Sequence, residues 1–183
     1  MTRFNPIDNG ADISSDASQL IHGCMYCVDQ CDQLLRMISQ SIYVNSTENS
    51  SSVGAHIRHI LDRYQSFFNG IPEGVINYDA RKQDKSIESN FEAANFALSS
   101  LSRRIEALDL AENLGRGVTV CESVHHERPS VSIPSTVDRE LLMELVNHSI
   151  HHLAIIALLV KPFGFIVGSD FGKAPSTIVY ERS

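Results

Sequence analysis

The stretch NHSIHHLAII, from Asn147 to Ile156, places three histidines inside the most apolar run of the chain. A helix is predicted here, because the run follows Pro134-Ser135-Thr136, which fits a capping pattern, and ends at Lys161-Pro162, where proline cannot continue a helix. Its apolar seam recurs at steps of four and three. The seam positions are Leu141, Leu145, His148, His152, Ile155 and Leu159. Two imidazoles are therefore predicted to face the core, where burying one without a partner costs about 1–3 kcal/mol.

Three further helices are predicted from apolar residues at helical spacing. They run over Ala17 to Tyr43, Val53 to Asn69 and Ile87 to Leu108. Ser52 is predicted to cap the second of these helices, and the linker after Gly70 is predicted to be an irregular loop. Before the last helix, the segments GVTVCESV and SVSIP predict a small β-hairpin that is an appendage and not a sheet core.

The length and the helical pattern together favour one domain. With 183 residues the chain can build one domain with a core, so residues 1–183 are expected to form a single domain. The expected fold class is all-α, namely a four-helix bundle with the hairpin placed before its last long helix.

The charge balance disfavours nucleic acid as a partner. The chain has 22 acidic and 15 basic residues, whereas affinity for nucleic acid comes mainly from lysine and arginine that neutralise phosphates. No stretch is expected to reach the length of a membrane span, and the N-terminal residues lack the apolar segment of a signal peptide. A cytoplasmic protein that binds neither nucleic acid nor membranes is expected.

Three cysteines, Cys24, Cys27 and Cys31, have the spacing C-x2-C-x3-C, which invites comparison with zinc and iron–sulfur sites. The same spacing places them on one face of the first helix, and a rigid helix does not easily wrap three thiolates around one ion. Reduced cysteine in such a stripe behaves as a small hydrophobic residue. We therefore expect these thiols to be part of the core.

A divalent metal would satisfy buried imidazoles directly. His148 and His152 are four residues apart on one helix face, and neutral imidazole is a good ligand for zinc, nickel or ferrous iron. Without a metal, a carboxylate such as Glu144 or a water molecule is the alternative partner. The second helix offers a third ligand in the segment AHIRH, and periodicity alone leaves open whether that ligand is His56 or His59.

Two motifs resemble those of the DinB-like superfamily of metalloenzymes. SVGAHIRHILD, from Ser52 to Asp62, resembles its second-helix motif, and NHSIHHLAII resembles its fourth-helix motif. The closing FGKAPST is similar to a tail found in one branch of the superfamily. The resemblance spans nearly the whole chain and implies a four-helix bundle of up-down-down-up type. By motif register it implies a zinc, nickel or iron site with three ligands, His59, His148 and His152, and two neighbouring groups, His56 and His151.

The resemblance also implies a class of chemistry. Characterised members of the superfamily include thiol transferases and isomerases that use a low-molecular-weight thiol, and iron-dependent sulfur enzymes. A metal ion with open positions lowers the pKa of a bound water or thiol. We therefore expect a metal-dependent enzyme acting on a small molecule, either a hydrolase or a thiol S-transferase. Glu144, Asp62 and Asp170 are the candidates for an acid–base group, and a homodimer is plausible for such a bundle.

Two alternatives stay open at this point. In the first alternative, the protein is a non-catalytic bundle whose histidines bind a structural ion or a ligand, and it acts as a sensor or dimerisation module. His125 and His126, beside Cys121 and Glu122, are a rival set of metal ligands, although they lie in a polar, loop-like segment where exposed histidines need no explanation.

Overall fold

Residues 13–46 and 50–183 are described by the structure, a computed structural model. The N-terminal residues that argue against a signal peptide lie outside this part of the chain. The described residues are mostly helical with a small three-stranded sheet, which is compatible with the expected all-α class. The helices are α1 Ile13–Met37, α2 Gln40–Tyr43, α3 Val53–Gly70, α4 Lys85–Ser89, α5 Phe91–Glu106, α6 Leu110–Asn113, α7 Val137–Glu140, a π-helix Leu141–Asn147, α8 His148–Val160, a 3-10 helix Lys161–Phe163 and α9 Pro175–Arg182. The strands are β1 Val75–Asn77, β2 Gly117–Glu122 and β3 Val131–Thr136.

The predicted hairpin is confirmed by β2 and β3, which pair antiparallel. Its interpretation as an appendage is wrong, because β1 forms within the linker predicted to be an irregular loop and pairs parallel with β2. Ile76, Val118 and Val120 of these strands are buried in the core. The sheet therefore contributes to the core, and its strand β1 packs against α3.

Long helices form most of the core. α1 packs against α5 and against the run 141–160, and α3 packs against the same two elements. Ser52 caps α3 as predicted, because its hydroxyl accepts a hydrogen bond from Ala55 N at 3.0 Å. The predicted seam of α3 is at most 1% exposed at every position: Val53, Ile57, Ile60, Tyr64 and Phe67.

Two of the predicted helices are interrupted in the structure. The helix predicted to reach Tyr43 begins earlier, at Ile13, ends at Met37 and restarts as α2. The side chain of Gln40, at the start of α2, accepts from Phe91 N at 2.9 Å and so ties α2 to α5. The helix predicted over Ile87 to Leu108 is divided at Asn90. The Asn90 side chain accepts from two amides at the start of α5 and therefore caps it.

The fourth helix contains a π-helical segment that shifts its buried face by one residue. The predicted seam is buried at Leu141 and Leu145, but the next fully buried positions are Ser149 and Leu153, not the histidines one residue earlier. A π-helical turn holds one residue more than an α-helical turn, so every later residue is rotated. His148 and His152 consequently lie half-buried beside the core stripe.

The helical run Val137–Phe163, 27 residues long, is long and apolar enough to cross a membrane by length and composition alone. The prediction that no stretch reaches that length is therefore wrong. The core helix of a soluble protein meets the same criterion, and this run packs against α1 and α3.

The C-terminal tail packs against α8 at Gly172. Gly172 adopts φ +66° and donates its N–H to Gln30 Oε1 at 2.7 Å. Its backbone lies so close to α8 that an added Cβ would be 2.5 Å from Ala154 N. This contact fixes the tail against the helix that carries His152.

Candidate metal centre

Histidines from α3 and α8 meet where these two helices are in contact. The Nε2 atoms of His59 and His148 are 2.9 Å apart, and Nε2 of His152 is 3.1 Å from Nε2 of His148. Each of the three residues offers a nitrogen within 4.8 Å of the other two. All three side chains are half-buried, so the group lies at the edge of the helix contact.

One nitrogen of the cluster, Nε2 of His148, has more close neighbours than hydrogen bonding can satisfy. A neutral imidazole nitrogen carries either one N–H or one lone pair, so it takes part in one in-plane hydrogen bond. His148 Nε2 meets two nitrogens and can satisfy only one of them. Two nitrogens on a tetrahedral zinc ion, with bonds of about 2.0–2.1 Å, lie about 3.3 Å apart. The observed 2.9 and 3.1 Å are close to that value, so the three histidines fit a divalent ion.

His56 and His151, the two predicted neighbouring groups, differ in position. His56 Nδ1 lies 2.8 Å from Nδ1 of His152, on the side of that ring opposite Nε2. His56 therefore orients His152 in the way that outer partners orient metal-binding histidines. His151 is exposed, and its ring centre is 5.2 Å from that of His152.

The environment keeps the three imidazoles neutral. Burial is the largest cause, and with neighbouring positive charges it lowers the pKa of His59 and His152 to about 3 and that of His148 to about 4. For His148, the Arg63 guanidinium is the next cause after burial. Neutral imidazole is the form that binds metals, so the three histidines are in their metal-binding form at neutral pH.

Arg63, one turn after His59 on α3, connects the histidines to the sheet. It is 3% exposed and forms ion pairs with Glu122, at 2.5 Å, and with Glu144. Its guanidinium also lies 3.8 Å from the centre of the Tyr78 ring. Because the charge of Arg63 is paired with carboxylates on two other elements, it fixes β2 and the π-helix against α3 beside the histidines.

Arg81, in the segment after β1, contacts the site directly. Its Nη1 lies 2.9 Å from Nδ1 of His59. A guanidinium has no acceptor, so Nδ1 of His59 accepts this hydrogen bond. Neutral His59 then carries its proton on Nε2, which faces His148.

The three predicted acid–base candidates lie in different places. Glu144 is joined to the site through Arg63, and its side chain is 27% exposed. Asp62 is paired with Arg58 at 2.6 Å, and burial raises the pKa of its carboxyl group. Asp170 pairs with Arg182. Among the described residues, neither Asp62 nor Asp170 has a hydrogen bond or ion pair to a histidine.

The cysteines of α1 are part of the core, as predicted. Cys24, Cys27 and Cys31 are each 0% exposed. Burial raises the pKa of the Cys24 and Cys31 thiols to about 12, so they stay protonated at neutral pH. Among the described residues, the side chains grouped closely enough to hold a metal ion are His59, His148 and His152 and not these cysteines, which argues against the zinc and iron–sulfur interpretations of the motif.

The rival ligands before the last helix are not assembled into a site. His125 and His126 are exposed and stack on each other with ring centres 4.7 Å apart. Glu122 is committed to Arg63, and Cys121 Sγ lies 3.2 Å from Ser132 Oγ. This loop therefore offers surface histidines and no ligand cluster within the described residues.

A cavity of about 410 Å³ lies between α3 and α5 and is not part of the histidine site. Apolar residues such as Leu61 and Phe96 line it together with Asp62, Lys82 and Arg104. Neither the three candidate ligands nor His56 lines this cavity. The histidine cluster and this cavity thus occupy different faces of α3.

The sequence predicted the histidines but not the arginines around them. Arg63 had a usable signal, because it lies four residues after His59 and therefore on the same face of α3. The sequence has no such signal for Arg81. Its position at the site depends on the pairing of strand β1, which the linker sequence does not predict.

Comparison with known proteins agrees with the motifs. A model of the DinB family matches residues 27–170. The chain is 32% identical over 107 residues to "FK506-binding protein 5" of Rhizopus delemar, a match that covers 57% of this chain and 27% of that protein. The chain thus spans about a quarter of the length of this curated relative. No solved structure matches the chain. Since the family model covers well over half of the sequence, and two of its helices bring three histidines together, the chain belongs to the DinB family.

Proposed function

We propose that this protein is a metal-dependent enzyme that acts on a small molecule, either as a hydrolase or as a low-molecular-weight-thiol S-transferase. The observation that carries the proposal is the convergence of one nitrogen each from His59, His148 and His152. Three protein nitrogens leave coordination positions open, as catalytic metal sites require. Zinc, nickel and iron are the candidate ions, because imidazole suits all three.

The residues around the histidines have distinct roles in this proposal. His56 holds the ring of His152 through the contact between their Nδ1 atoms. Arg63 holds Glu144 next to the histidines, and Glu144, which is partly exposed, is our candidate for moving a proton to or from the substrate. A bound divalent ion supplies Lewis acidity, which stabilises negative charge on an oxygen or sulfur atom of the substrate.

The proposal also covers the fold, the cellular location and the oligomeric state. We take the four longest described helical runs as the four-helix bundle of the family, in one domain over residues 1–183. We place the protein in the cytoplasm, with a small molecule as its substrate. A homodimer is included because Leu142, Met143 and Leu158 leave apolar surface exposed on the fourth helix.

A non-catalytic metal- or ligand-binding bundle, acting as a sensor or dimerisation module, is the second candidate. One observation favours it: the 410 Å³ cavity, which has room for a small molecule, is not lined by the histidines. In this case the three histidines hold an ion that supports the fold.

The first test is elemental analysis of the purified protein after reloading with zinc, nickel and ferrous iron in turn. We expect close to one ion per chain in the wild type and in His126→Ala, whose imidazole is exposed away from the site. His59→Ala and His148→Ala should each lose the ion. No metal in any form would overturn the proposal and leave a hydrogen-bonded histidine network.

A metal-loaded protein then separates the two candidates. The enzyme proposal predicts turnover in a screen of thiols with electrophilic small molecules and of hydrolysable esters and amides, with loss of turnover in His148→Ala. Stoichiometric metal that only raises the unfolding temperature, without turnover in either screen, would favour the binding module.

A further inference from the structure

The hydrogen bonding of the Arg81 side chain is incomplete. Nη1 donates to Nδ1 of His59 at 2.9 Å, and its Nε is buried without a hydrogen-bond partner. A buried donor of a charged group without a partner is costly, so it is expected to have an acceptor in the working state of the protein.

The other arginines near the histidines are already paired with carboxylates. Arg58 pairs with Asp62 and Glu88, and Arg63 pairs with Glu122 and Glu144. Arg81 has no carboxylate within ion-pair distance among the described residues. Asp79, two residues earlier in the chain, instead accepts from the hydroxyls of Ser123 and Ser130.

The hydrogen bond from Arg81 to His59 is incompatible with metal binding through Nε2. A neutral imidazole that gives the lone pair of Nε2 to a metal carries its proton on Nδ1. Nδ1 is then a donor, and the guanidinium of Arg81 also has only donors. When the site holds a metal, Arg81 must therefore turn its N–H groups away from His59, which frees them for another acceptor.

We propose that Arg81 binds an anionic group of the substrate, a carboxylate or a phosphate, beside the metal held by the three histidines. This inference rests on the proposed function, because it assigns a substrate class to the same site. Guanidinium groups bind carboxylate and phosphate through two parallel hydrogen bonds, so the freed N–H groups and the unpartnered Nε present a fork to such an anion. The metal and Arg81 together then select a small molecule that carries negative charge.

The test measures anion binding and not turnover. Cobalt-loaded protein is titrated with acetate and with inorganic phosphate, and binding is followed by calorimetry and by the visible spectrum of the cobalt ion. Arg81→Gln removes the charge but keeps a side chain whose carbonyl can accept from Nδ1 of His59. Lys85→Gln is the matched control, because it removes the same charge from an exposed residue four positions later that does not line the 410 Å³ cavity.

We expect the wild type to bind at least one of the two anions about tenfold or more tightly than Arg81→Gln does, as for the loss of a charge-assisted hydrogen bond. Lys85→Gln should bind like the wild type, and Arg81→Lys should be intermediate. Preference for acetate assigns a carboxylate substrate, and preference for phosphate assigns a phosphorylated one. Metal content in Arg81→Gln should equal that of the wild type, because Arg81 is not a ligand.

The outcomes separate this inference from the proposed function. Full cobalt loading with equal anion affinity in wild type and Arg81→Gln overturns the role of Arg81 and leaves the metal site standing. Equal losses in Lys85→Gln and Arg81→Gln also overturn it, because the effect is then one of net charge alone. Failure of the wild type to load cobalt, zinc, nickel or iron overturns both proposals.

Discussion

Nδ1 of His56 lies 2.8 Å from Nδ1 of His152, so a histidine of α3 orients a candidate ligand on α8. This contact bears on the choice that periodicity left open on the second helix, and it favours His59 over His56 as the third candidate ligand. His59 directs its Nε2 towards Nε2 of His148 on the fourth helix. His56 lies one turn earlier on α3 and contacts His152 at Nδ1, the nitrogen that does not face the cluster.

Replacing His56 is therefore expected to weaken metal binding without abolishing it. Loss of an outer partner of a metal-binding histidine costs about 10–100-fold in affinity, so His56→Ala should raise the Kd for zinc by that factor. A competition titration with a chromophoric chelator measures it. His151→Ala, which removes an exposed imidazole from the same cluster, is the control and should change the Kd little. Complete loss of zinc in His56→Ala would instead make His56 a ligand.

The metal-free protein should become less stable as the pH decreases from about 6.5 towards 4. Unfolded histidine has a pKa of about 6.5, whereas the pKa values of His59 and His152 are lowered to about 3 and that of His148 to about 4. Between these limits the unfolded chain binds more protons, so acid favours unfolding. Each such histidine adds at most about 1.4 kcal/mol per pH unit to the slope.

Urea unfolding at pH 7.5, 6 and 5 in the presence of a chelator measures this slope. His152→Asn should flatten it, because one depressed imidazole is removed. His126→Asn should leave it unchanged, since this side chain is 83% exposed. Identical slopes in wild type and His152→Asn would contradict the expected neutral state of the cluster.

Thiol reactivity tests the burial of the cysteines. Native protein should react rapidly with a disulfide reagent at Cys121 alone, because Cys24, Cys27 and Cys31 are fully buried. Burial also raises the pKa of the Cys24 thiol to about 12, which removes its reactive thiolate form. The reagent should count one thiol in buffer and four in denaturant. Cys121→Ser should abolish the fast reaction, and any fast reaction that remained would show that α1 opens.

Some features of this fold follow from local sequence and others do not. The seam of α3 and its Ser52 cap are local, so their residues predict them. The position of His148 does not follow from local sequence. A seam extrapolated from Leu145 at regular α-helical spacing is wrong by one residue, because the π-helical turn holds one extra residue. Arg81 depends on the pairing of β1 with β2, which are distant in sequence, so only the structure places it at the histidines.

Replacing Gly172 is expected to destabilise the protein and to leave its metal stoichiometry unchanged. Gly172 has φ +66°, which costs a residue with a Cβ about 1–2 kcal/mol. The new Cβ would also lie 2.5 Å from the backbone of Ala154, where no flexible side chain can yield. Gly172→Ala should therefore reduce the free energy of unfolding, measured in urea, by at least about 1–2 kcal/mol. Gly168→Ala is the control, because nothing lies within 4 Å of its added Cβ. Equal unfolding midpoints for the two variants would mean that the tail is not docked on the helix that carries His152.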